Sequence, residues 1–410
     1  MSVAGLAFTS AAYAQAGALD TSFGGDGRVT TNLTSGRDYA VGLIIQADGK
    51  LVAAGRAGGR GGRFALVRYL ADGTLDATFG GDGKVFTNFT ARFDGAFDLE
   101  IQADGKLVTA GMAGGYSRFA LARYNSDGTL DTSFGGDGKV TTNFTAGADF
   151  AFGVAIQTDG KIVAVGRAGG SGGRVAVARY NVGGTLDTSF SGDGKATTNF
   201  TAGEDTVDHV AIQSDGRIIV AGTAGYFSNN ARFALVRYDT DGTRDATFSG
   251  DGKLTTNLTS GFDGAFAVAI QPLDQKIVAT GQAGLNLAVL RYDPDGTLDS
   301  TFSGDGKATT SFTRGLDYAD DVALAADGKI IVAGAANFFG ANPKFAVARY
   351  NGDGTLDATF GGGDGKVTTD FTSVWDGAYD VEIQATDGNI VAAGGASNGR
   401  KFALARYLGI

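Results

Sequence analysis

The residues best suited to chemistry are acidic side chains that recur at one place in a repeated pattern. The chain consists of copies of one repeated unit, and most copies share a glutamine. Shortly before this glutamine, two copies read Asp-Leu-Glu and Asp-Val-Glu, whereas other copies carry Gly or Ala in place of the acidic residues. Two more copies hold Asp-Asp and Asp-His there, and this His is the only one in the chain. Carboxylate pairs can carry out acid–base catalysis, or they can bind a ligand. The candidate binding residues of this kind are Asp98, Glu100, Asp208, His209, Asp320, Asp321, Asp380 and Glu382.

Aromatic residues accompany these acids. Trp375, the only Trp, precedes an Asp that recurs in every copy, and Phe93 and Phe262 occupy equivalent positions. An acidic opening with an aromatic rim suits a sugar ring, a cation or a basic peptide. In the alternative interpretation, the acids are solvated side chains without a ligand.

The recurring Asp forms a second set of acids, just ahead of one predicted strand in each copy. Seven carboxylates around one axis could hold a hard cation such as Ca²⁺ through oxygen ligands. Alternatively, each Asp accepts backbone N–H bonds in its own turn or pairs with a neighbouring Arg. The candidate metal ligands are Asp38, Asp94, Asp149, Asp205, Asp263, Asp317 and Asp376.

Composition argues against several other kinds of chemistry. The formal net charge is −10, whereas a nucleic-acid surface requires an excess of basic residues. The chain contains no Cys, so it has neither disulfides nor a thiolate nucleophile. No apolar run approaches the roughly 18 residues that a membrane span needs, so none is predicted.

A repeat of about 56 residues positions all of these side chains. Each copy contains four segments typical of short β-strands, separated by Asp-Gly turns. We therefore predict an all-β fold, in which residues 19–410 form one seven-bladed β-propeller with four-stranded antiparallel blades. The phrase Leu-Asp-x-x-Phe marks the copies at Leu19, Leu75, Leu130, Leu186, Leu298 and Leu356, with Arg244 in place of Leu once.

The ends of the chain predict how the ring closes. The first strand, Arg28–Leu33, is a lone outer strand, and the last blade stops after its third strand, Phe402–Tyr407. We predict that these two strands pair, because closure removes both exposed sheet edges. A recurring Arg, such as Arg179, alternates with the bulky residues of its strand and should be buried against a recurring Asp.

Residues 1–18 do not belong to the repeat. They form a short apolar stretch that ends in small residues, with Ala12-Tyr13-Ala14 and Ala14-Gln15-Ala16 as candidate cleavage sites. This pattern resembles the end of a secretory signal. We therefore expect a secreted, periplasmic or cell-surface protein; an N-terminal tail without a targeting role is the alternative.

The repeat also resembles a known family. Leu-Asp-x-x-Phe-Gly-Gly-Asp-Gly-Lys-Val-Thr-Thr, Ile-Gln-Ala-Asp-Gly-Lys-Ile-Val and Phe-Ala-Leu-Ala-Arg-Tyr are similar to the bacterial delta-60 repeat, and the blades resemble those of NHL-type propellers. The resemblance covers nearly all of residues 19–410. It implies an exported or surface protein and implies no activity.

One face of the predicted propeller varies far more than the other. Loops between the second and third strands differ in length and carry aromatic residues such as Tyr116, Tyr226 and Phe338, whereas the opposite turns are nearly identical. Such variation favours a binding face, although surface loops also drift freely. We expect a non-catalytic scaffold that binds a glycan, a surface polymer or a protein. The alternatives are a carboxylate-based enzyme, with or without a metal, acting on a sugar or lactone, and a purely architectural surface module.

Overall fold

The computed structural model describes residues 15–59, 61–170, 172–228 and 230–409. Its strands form seven separate four-stranded antiparallel sheets, which are the blades of a closed propeller. The predicted fold is therefore confirmed. Among the described residues, no helix has the length and apolarity needed to cross a bilayer.

Every blade runs from an inner strand near the axis to a short outer strand. The inner strands are β2 (Asp38–Ile45), β6 (Gly95–Ile101), β10 (Phe150–Ile156), β14 (Thr206–Ile212), β18 (Asp263–Ile270), β22 (Tyr318–Leu324) and β26 (Gly377–Ile383). The second strands are β3 (Leu51–Ala57), β7 (Leu107–Ala113), β11 (Ile162–Ala168), β15 (Ile218–Ala224), β19 (Ile277–Ala283), β23 (Ile330–Ala336) and β27 (Ile390–Ala396).

The third strands carry the Phe-Ala-Leu-Ala-Arg-Tyr pattern, and the outer strands have four residues each. The third strands are β4 (Arg63–Tyr69), β8 (Arg118–Tyr124), β12 (Arg174–Tyr180), β16 (Arg232–Tyr238), β20 (Asn286–Tyr292), β24 (Lys344–Tyr350) and β28 (Lys401–Tyr407). The outer strands are β1 (Arg28–Thr31), β5 (Lys84–Thr87), β9 (Lys139–Thr142), β13 (Lys195–Thr198), β17 (Lys253–Thr256), β21 (Lys307–Thr310) and β25 (Lys366–Thr369). Blades 1 to 6 begin at β2, β6, β10, β14, β18 and β22, and blade 7 begins at β26.

The core lies between the blades, because each sheet buries both of its faces. Phe119 and Leu121 of blade 2 pack in one cluster with Ala176, Ala178 and Tyr180 of blade 3. A bulky face therefore meets a face of small residues and one Tyr, as the alternation along these strands predicts.

The recurring Arg is buried and paired with a recurring Asp, as predicted, and it also contacts the next blade. Arg179 is 4% exposed, and its Nε lies 2.8 Å from Asp187 Oδ2. Its guanidinium also lies over Phe190 and donates to the carbonyl oxygen of Thr240 in the next blade. The same Arg–Asp pair, formed within one blade, occurs at Arg68–Asp76, Arg123–Asp131, Arg237–Asp245, Arg291–Asp299, Arg349–Asp357 and Arg406–Asp20.

The ring closes through the N-terminal strand. β1 pairs antiparallel with β28, from Arg28 opposite Ala405 to Thr31 opposite Phe402, and so completes blade 7. Upstream of this strand, Asp20 is the partner of Arg406, 2.8 Å away. Ala16 is 3% exposed and packs against blades 6 and 7. The folded domain thus includes residues 16–18, which the sequence analysis placed in the export segment; residues 1–14 lie outside the described ranges.

Candidate functional site

A β-bulge in every inner strand turns one extra side chain into the central channel. In β6, for example, the register shifts between Ala96 and Asp98, and Phe97 is the additional residue. A Cβ on the facing residue of the second strand, Gly111, would overlap the Gly95 carbonyl oxygen, so the bulge requires a glycine there. These bulge residues form an upper ring near the loop face: Val41, Phe97, Phe152, Asp208, Phe266, Asp320 and Tyr379.

The residues that follow the bulges form a middle ring, whose polar members bind the next blade. Asp98 Oδ2 accepts the Val154 N–H at 2.7 Å, and Asp380 Oδ2 accepts the Leu43 N–H at 2.7 Å. Asp321 Oδ2 likewise accepts the Val381 N–H at 3.0 Å. These three carboxyl groups therefore link blades through main-chain hydrogen bonds as well as facing the channel.

His209 takes the corresponding place in blade 4. Its Nδ1 lies 3.1 Å from the Val268 carbonyl oxygen and 3.3 Å from the Val268 nitrogen. The other three middle-ring positions hold the small residues Gly42, Gly153 and Ala267. The ring is thus strongly asymmetric although the blades are nearly identical.

Two cavities follow the channel axis. The upper one has a volume of about 130 Å³, and the lower one has a volume of about 250 Å³. Both are lined by Asp98, His209, Asp321 and Asp380, and the lower one reaches Glu100 and Glu382. The structure therefore brings together all eight of the acidic and histidine residues that the sequence singled out.

Burial in the channel changes the protonation of these acids. Burial raises the pKa of Asp98 to about 7, with Glu100 adding to the shift and His209 opposing it. It also raises the pKa of Asp208 to about 7. The pKa of Asp320 lies well above its usual range, because burial is reinforced by the charges of Asp208 and Asp321.

The lower acids shift in the same direction. Burial raises the pKa of Glu100 to about 7 and that of Glu382 to about 8, and the charge of Asp321 contributes to both. Burial also raises the pKa of Asp380 well above its usual range. A large share of these groups is therefore protonated at neutral pH, so the channel offers O–H donors as well as acceptors.

Asp320 stands apart from the other channel acids. Its Oδ2 atom is buried and has no hydrogen-bond partner among the described residues. A buried polar atom without a partner is costly, and such atoms are commonly satisfied by a bound water or ligand.

Aromatic rings form a nearly continuous arc around the channel mouth. One series of ring contacts runs Phe266, Tyr318, Phe338, Trp375, Tyr379 and Tyr39, and another runs Phe97, Phe152, Phe150, Tyr116 and Phe93. The Arg56 guanidinium joins the two series, since it lies 3.8 Å from the centre of Phe93 and 5.9 Å from that of Tyr39. We call this set the aromatic arc. It opens at blade 4, where Asp208 and His209 lie.

The three predicted aromatic rim residues have different environments. Trp375 belongs to the arc, 6.0 Å from Tyr379. Phe93 is only 7% exposed, because Tyr116 stacks on it at 5.2 Å and Arg56 lies over it. Phe262 pairs edge-on with Tyr226 at 5.6 Å, outside the arc.

The seven recurring Asp residues do not form a shared metal site, so this expectation is corrected. Asp94 is fully buried: its carboxylate accepts the N–H groups of Phe89, Thr90 and Gly114 and the Thr90 hydroxyl group, all at 2.9 Å. The other six are equally buried and make equivalent bonds in their own loops. This matches the alternative in which each Asp accepts backbone N–H bonds in its own turn. In the described ranges, no group of three or more Asp, Glu or His residues could hold a metal ion.

Sequence reasoning missed the bulge residues other than Asp208 and Asp320. Strict alternation gives no reason to place Phe97, Phe152 and Tyr379 in the channel, because a bulge changes which face of the sheet a side chain points to. The glycine that recurs opposite each bulge, such as Gly111, was the available signal.

Comparisons with known proteins agree with the fold. Six segments match the β-propeller family described as a domain of unknown function, DUF5122: residues 46–79, 102–134, 157–190, 213–248, 274–302 and 325–360. Each matched segment starts at or near the position of the recurring Gln and ends at or near the Leu-Asp-x-x-Phe motif. By the same boundaries, a seventh unit would start near Gln384 and be completed by Leu19–Phe23. The two ends of the chain therefore divide the seventh unit between them.

Solved propellers are similar in fold at low identity. A catalytically inactive variant of virginiamycin B lyase from Staphylococcus aureus, with quinupristin, shares 12% identity over 93% of this chain and 99% of that one, at a TM-score of 0.56. A streptogramin B lyase structure shares 11% identity over 93% of this chain and 97% of that one, at a TM-score of 0.53. No curated protein matches the chain significantly. The internal repeats, the matched segments and the shared fold together identify the chain as a β-propeller repeat protein.

Proposed function

We propose that this chain is an exported, non-catalytic scaffold that binds a glycan on its loop face, at the mouth of the channel. The aromatic arc is the observation that carries the proposal. Its rings present apolar faces beside hydrogen-bonding groups, and sugar rings combine the same two features. Carboxyl groups that are partly protonated can both donate to and accept from sugar hydroxyl groups.

The size of the channel favours binding across the mouth. Sites that enclose a small molecule usually measure about 300–1,000 Å³, whereas the upper cavity measures about 130 Å³. A hydroxyl or hydroxymethyl group fits this space and a whole sugar ring does not. The ligand would therefore lie over the arc and insert one polar substituent towards Asp208 and Asp320.

Trp375 provides a direct test, because it is the only Trp and belongs to the arc. A glycan array should identify bound oligosaccharides, and titration of one of them should change the tryptophan fluorescence. Tyr379→Ala should weaken binding about tenfold, in line with the loss of one stacking contact. Leu273→Ala is the matched control, since Leu273 is 96% exposed and lies in a turn of the opposite face.

Two results would contradict the proposal. One is an array on which no glycan binds. The other is an equal loss of affinity in Leu273→Ala and Tyr379→Ala, which would place binding away from the arc.

A catalytic function is the second candidate, and the state of the channel acids favours it. Asp98 and Asp208 have pKa values of about 7, near the optimum for proton transfer at neutral pH, and Asp320 has an unpartnered oxygen. Prolonged incubation of a bound glycan, followed by mass spectrometry, separates the two functions. Products that form with the wild type but not with Asp208→Asn would establish catalysis, whereas an intact glycan supports binding alone.

A further inference from the structure

A basic pocket lies on the loop face, where blades 7, 1 and 2 meet. It has a volume of about 500 Å³, and its lining includes Arg37, Arg56 and Arg400 together with Phe93 and Tyr116. None of the described residues that line it is acidic, although the chain carries a net charge of −10. Within the described ranges, none of the three arginines forms an ion pair. Three arginines without an ion pair in the described part of the chain therefore lie together beside the half-exposed Tyr116.

The repeat supplies an internal comparison for this pocket. Arg167 occupies in blade 3 the position that Arg56 occupies in blade 1, and Glu204 occupies in blade 4 the position of Phe93 in blade 2. Arg167 Nη1 pairs with Glu204 Oε1 at 2.6 Å, so its charge is neutralised.

Arg56 lacks such a partner. Its guanidinium lies over Phe93, and its side chain donates only to the Gly59 carbonyl oxygen, at 3.1 Å, in the described part of the chain. Its Nε is buried without an acceptor among the described residues, as is the Nε of Arg167, so the two arginines differ in the carboxylate and not in this atom. Where Arg167 meets the carboxylate of Glu204, Arg56 meets the uncharged ring of Phe93, so the charge of Arg56 is not neutralised by the described part of the protein.

Backbone strain at Tyr116 points to the same place. Tyr116 has a φ of +76°, which L-residues other than Gly rarely adopt. This conformation stacks its ring on Phe93 with an angle of 13° between the planes, while 51% of the residue stays exposed. Strained residues of this kind concentrate at functional sites, and the half-exposed Tyr116 lines the basic pocket.

We infer that this pocket binds the carboxylate of a uronic acid unit in an acidic glycan. The forked guanidinium groups of Arg37, Arg56 and Arg400 match a planar carboxylate, and Tyr116 would contact the sugar ring that carries it. A volume of about 500 Å³ accommodates one such sugar. This inference rests on the proposed function and names the class of glycan that the same face binds.

The test compares oligogalacturonates with their carboxyl-reduced counterparts, which have the same sugar backbone and no charge. Calorimetry should show that the wild-type protein binds the acidic form at least about tenfold more tightly. Arg37→Ala/Arg400→Ala removes two exposed side chains and should abolish this preference, so that the variant binds both forms with similar affinity. Arg174→Ala/Arg232→Ala is the matched control, because it removes two exposed arginines elsewhere on the loop face and leaves the same net charge.

Each outcome has a distinct meaning. Equal wild-type affinity for both forms overturns the uronate inference and leaves glycan binding in place. Equal loss of the preference in both double variants shows that only net charge matters, which also overturns the inference. If neither oligosaccharide binds and the glycan array is also blank, both the inference and the proposed function fail; if the array identifies another glycan, only the inference fails.

Discussion

At the scale of single residues, the carboxyl groups of the Arg–Asp pairs and those of the channel differ in the direction of their pKa shifts. Burial by itself would raise the pKa of Asp187, but hydrogen bonds from Ser189 and the charge of Arg179 outweigh it and lower the pKa. In the channel, no such partner outweighs burial, and the pKa of Asp208 rises. One group of carboxyl groups is therefore ionised and structural, while the other is poised to titrate near neutrality.

Removing the arginine of one Arg–Asp pair should destabilise the protein strongly. Arg179→Met leaves Asp187 as a buried carboxylate near Lys161 alone, 3.6 Å away, and should cost about 3 kcal/mol of unfolding free energy. Denaturant titration measures this loss. Arg174→Met is the control, because Arg174 lies on the same strand and is exposed; a similar small effect in both variants would show that the pair contributes little.

The channel acids should make the protein less stable in mild alkali. Their folded pKa values, about 7 for Glu100 and about 8 for Glu382, exceed the value of about 4.3 in an unfolded chain. The folded state then binds more protons between these limits, so stability falls as the pH rises through 7 and 8. The paired Asp residues, such as Asp187, have lowered pKa values and lose their contribution only as the pH falls below about 4. Maximum stability is expected between these two ranges, near pH 5.

An isosteric variant tests the alkaline side of this profile. Glu100→Gln/Glu382→Gln removes two titrating groups and should reduce the loss of unfolding free energy between pH 5 and pH 9. An unchanged pH dependence would show that these two carboxyl groups do not cause it.

At the scale of elements, the bulged inner strand is the feature that builds the site. It shifts the register by one residue. The extra residue, for example Phe152, therefore faces the channel, which the strict alternation of strand side chains would not predict. The second strand must then approach closely, and Gly166 provides the space opposite the bulge.

Filling this space should damage the blade. In Gly166→Ala the new Cβ would overlap the Phe150 carbonyl oxygen and lie 2.8 Å from the Ala151 Cα, and both belong to the backbone. We expect a loss of about 2 kcal/mol, measured by thermal or denaturant unfolding. Gly170→Ala, in the following loop, has no atom within 4 Å of its new Cβ and should be neutral. Equal stability of the two variants would mean that the bulge does not need glycine.

At the scale of the whole molecule, the N-terminal segment completes three kinds of contact at once. β1 covers the edge of β28, Asp20 neutralises Arg406, and Ala16 fills a cluster between blades 6 and 7. Closure therefore depends on more than the four residue pairs of one strand.

Truncation tests this closure. A chain that begins at Leu33 exposes the β28 edge and leaves Arg406 unpaired, so its melting temperature should fall sharply or its soluble yield should collapse. A chain that begins at Gln15 keeps all three contacts and is the reference. Equal melting of the two chains would rule out a stabilising role for the N-terminal segment.

The sequence was sufficient for the fold because every copy repeats its own turn chemistry and strand alternation. Counting Leu-Asp-x-x-Phe predicted seven blades, and the alternation around Arg179 predicted its burial. The same alternation could not place Phe97 or Tyr379, since a bulge depends on the fit between two strands. Asp94 resembled a metal ligand by recurrence alone, because recurrence does not show which way a carboxylate points.

The basic pocket was also beyond prediction from the sequence. Arg37 and Arg56 belong to blade 1, whereas Arg400 comes from the other end of the chain. Their proximity exists only once the ring has closed, and no spacing along the chain reports it.

The antiparallel pairing of β1 with β28 also determines how the protein would respond to mechanical load. Arg28, where β1 begins, lies opposite Ala405, near the C-terminal end of β28, so both ends of the chain leave the ladder on the same side. Tension applied between the termini would peel the strands apart one pair at a time, starting beside Leu19 and Tyr407, instead of shearing all pairs together. A propeller anchored through one terminus and pulled by the other would therefore open at blade 7 first. The ring would yield at this seam under a force that the continuous blades withstand.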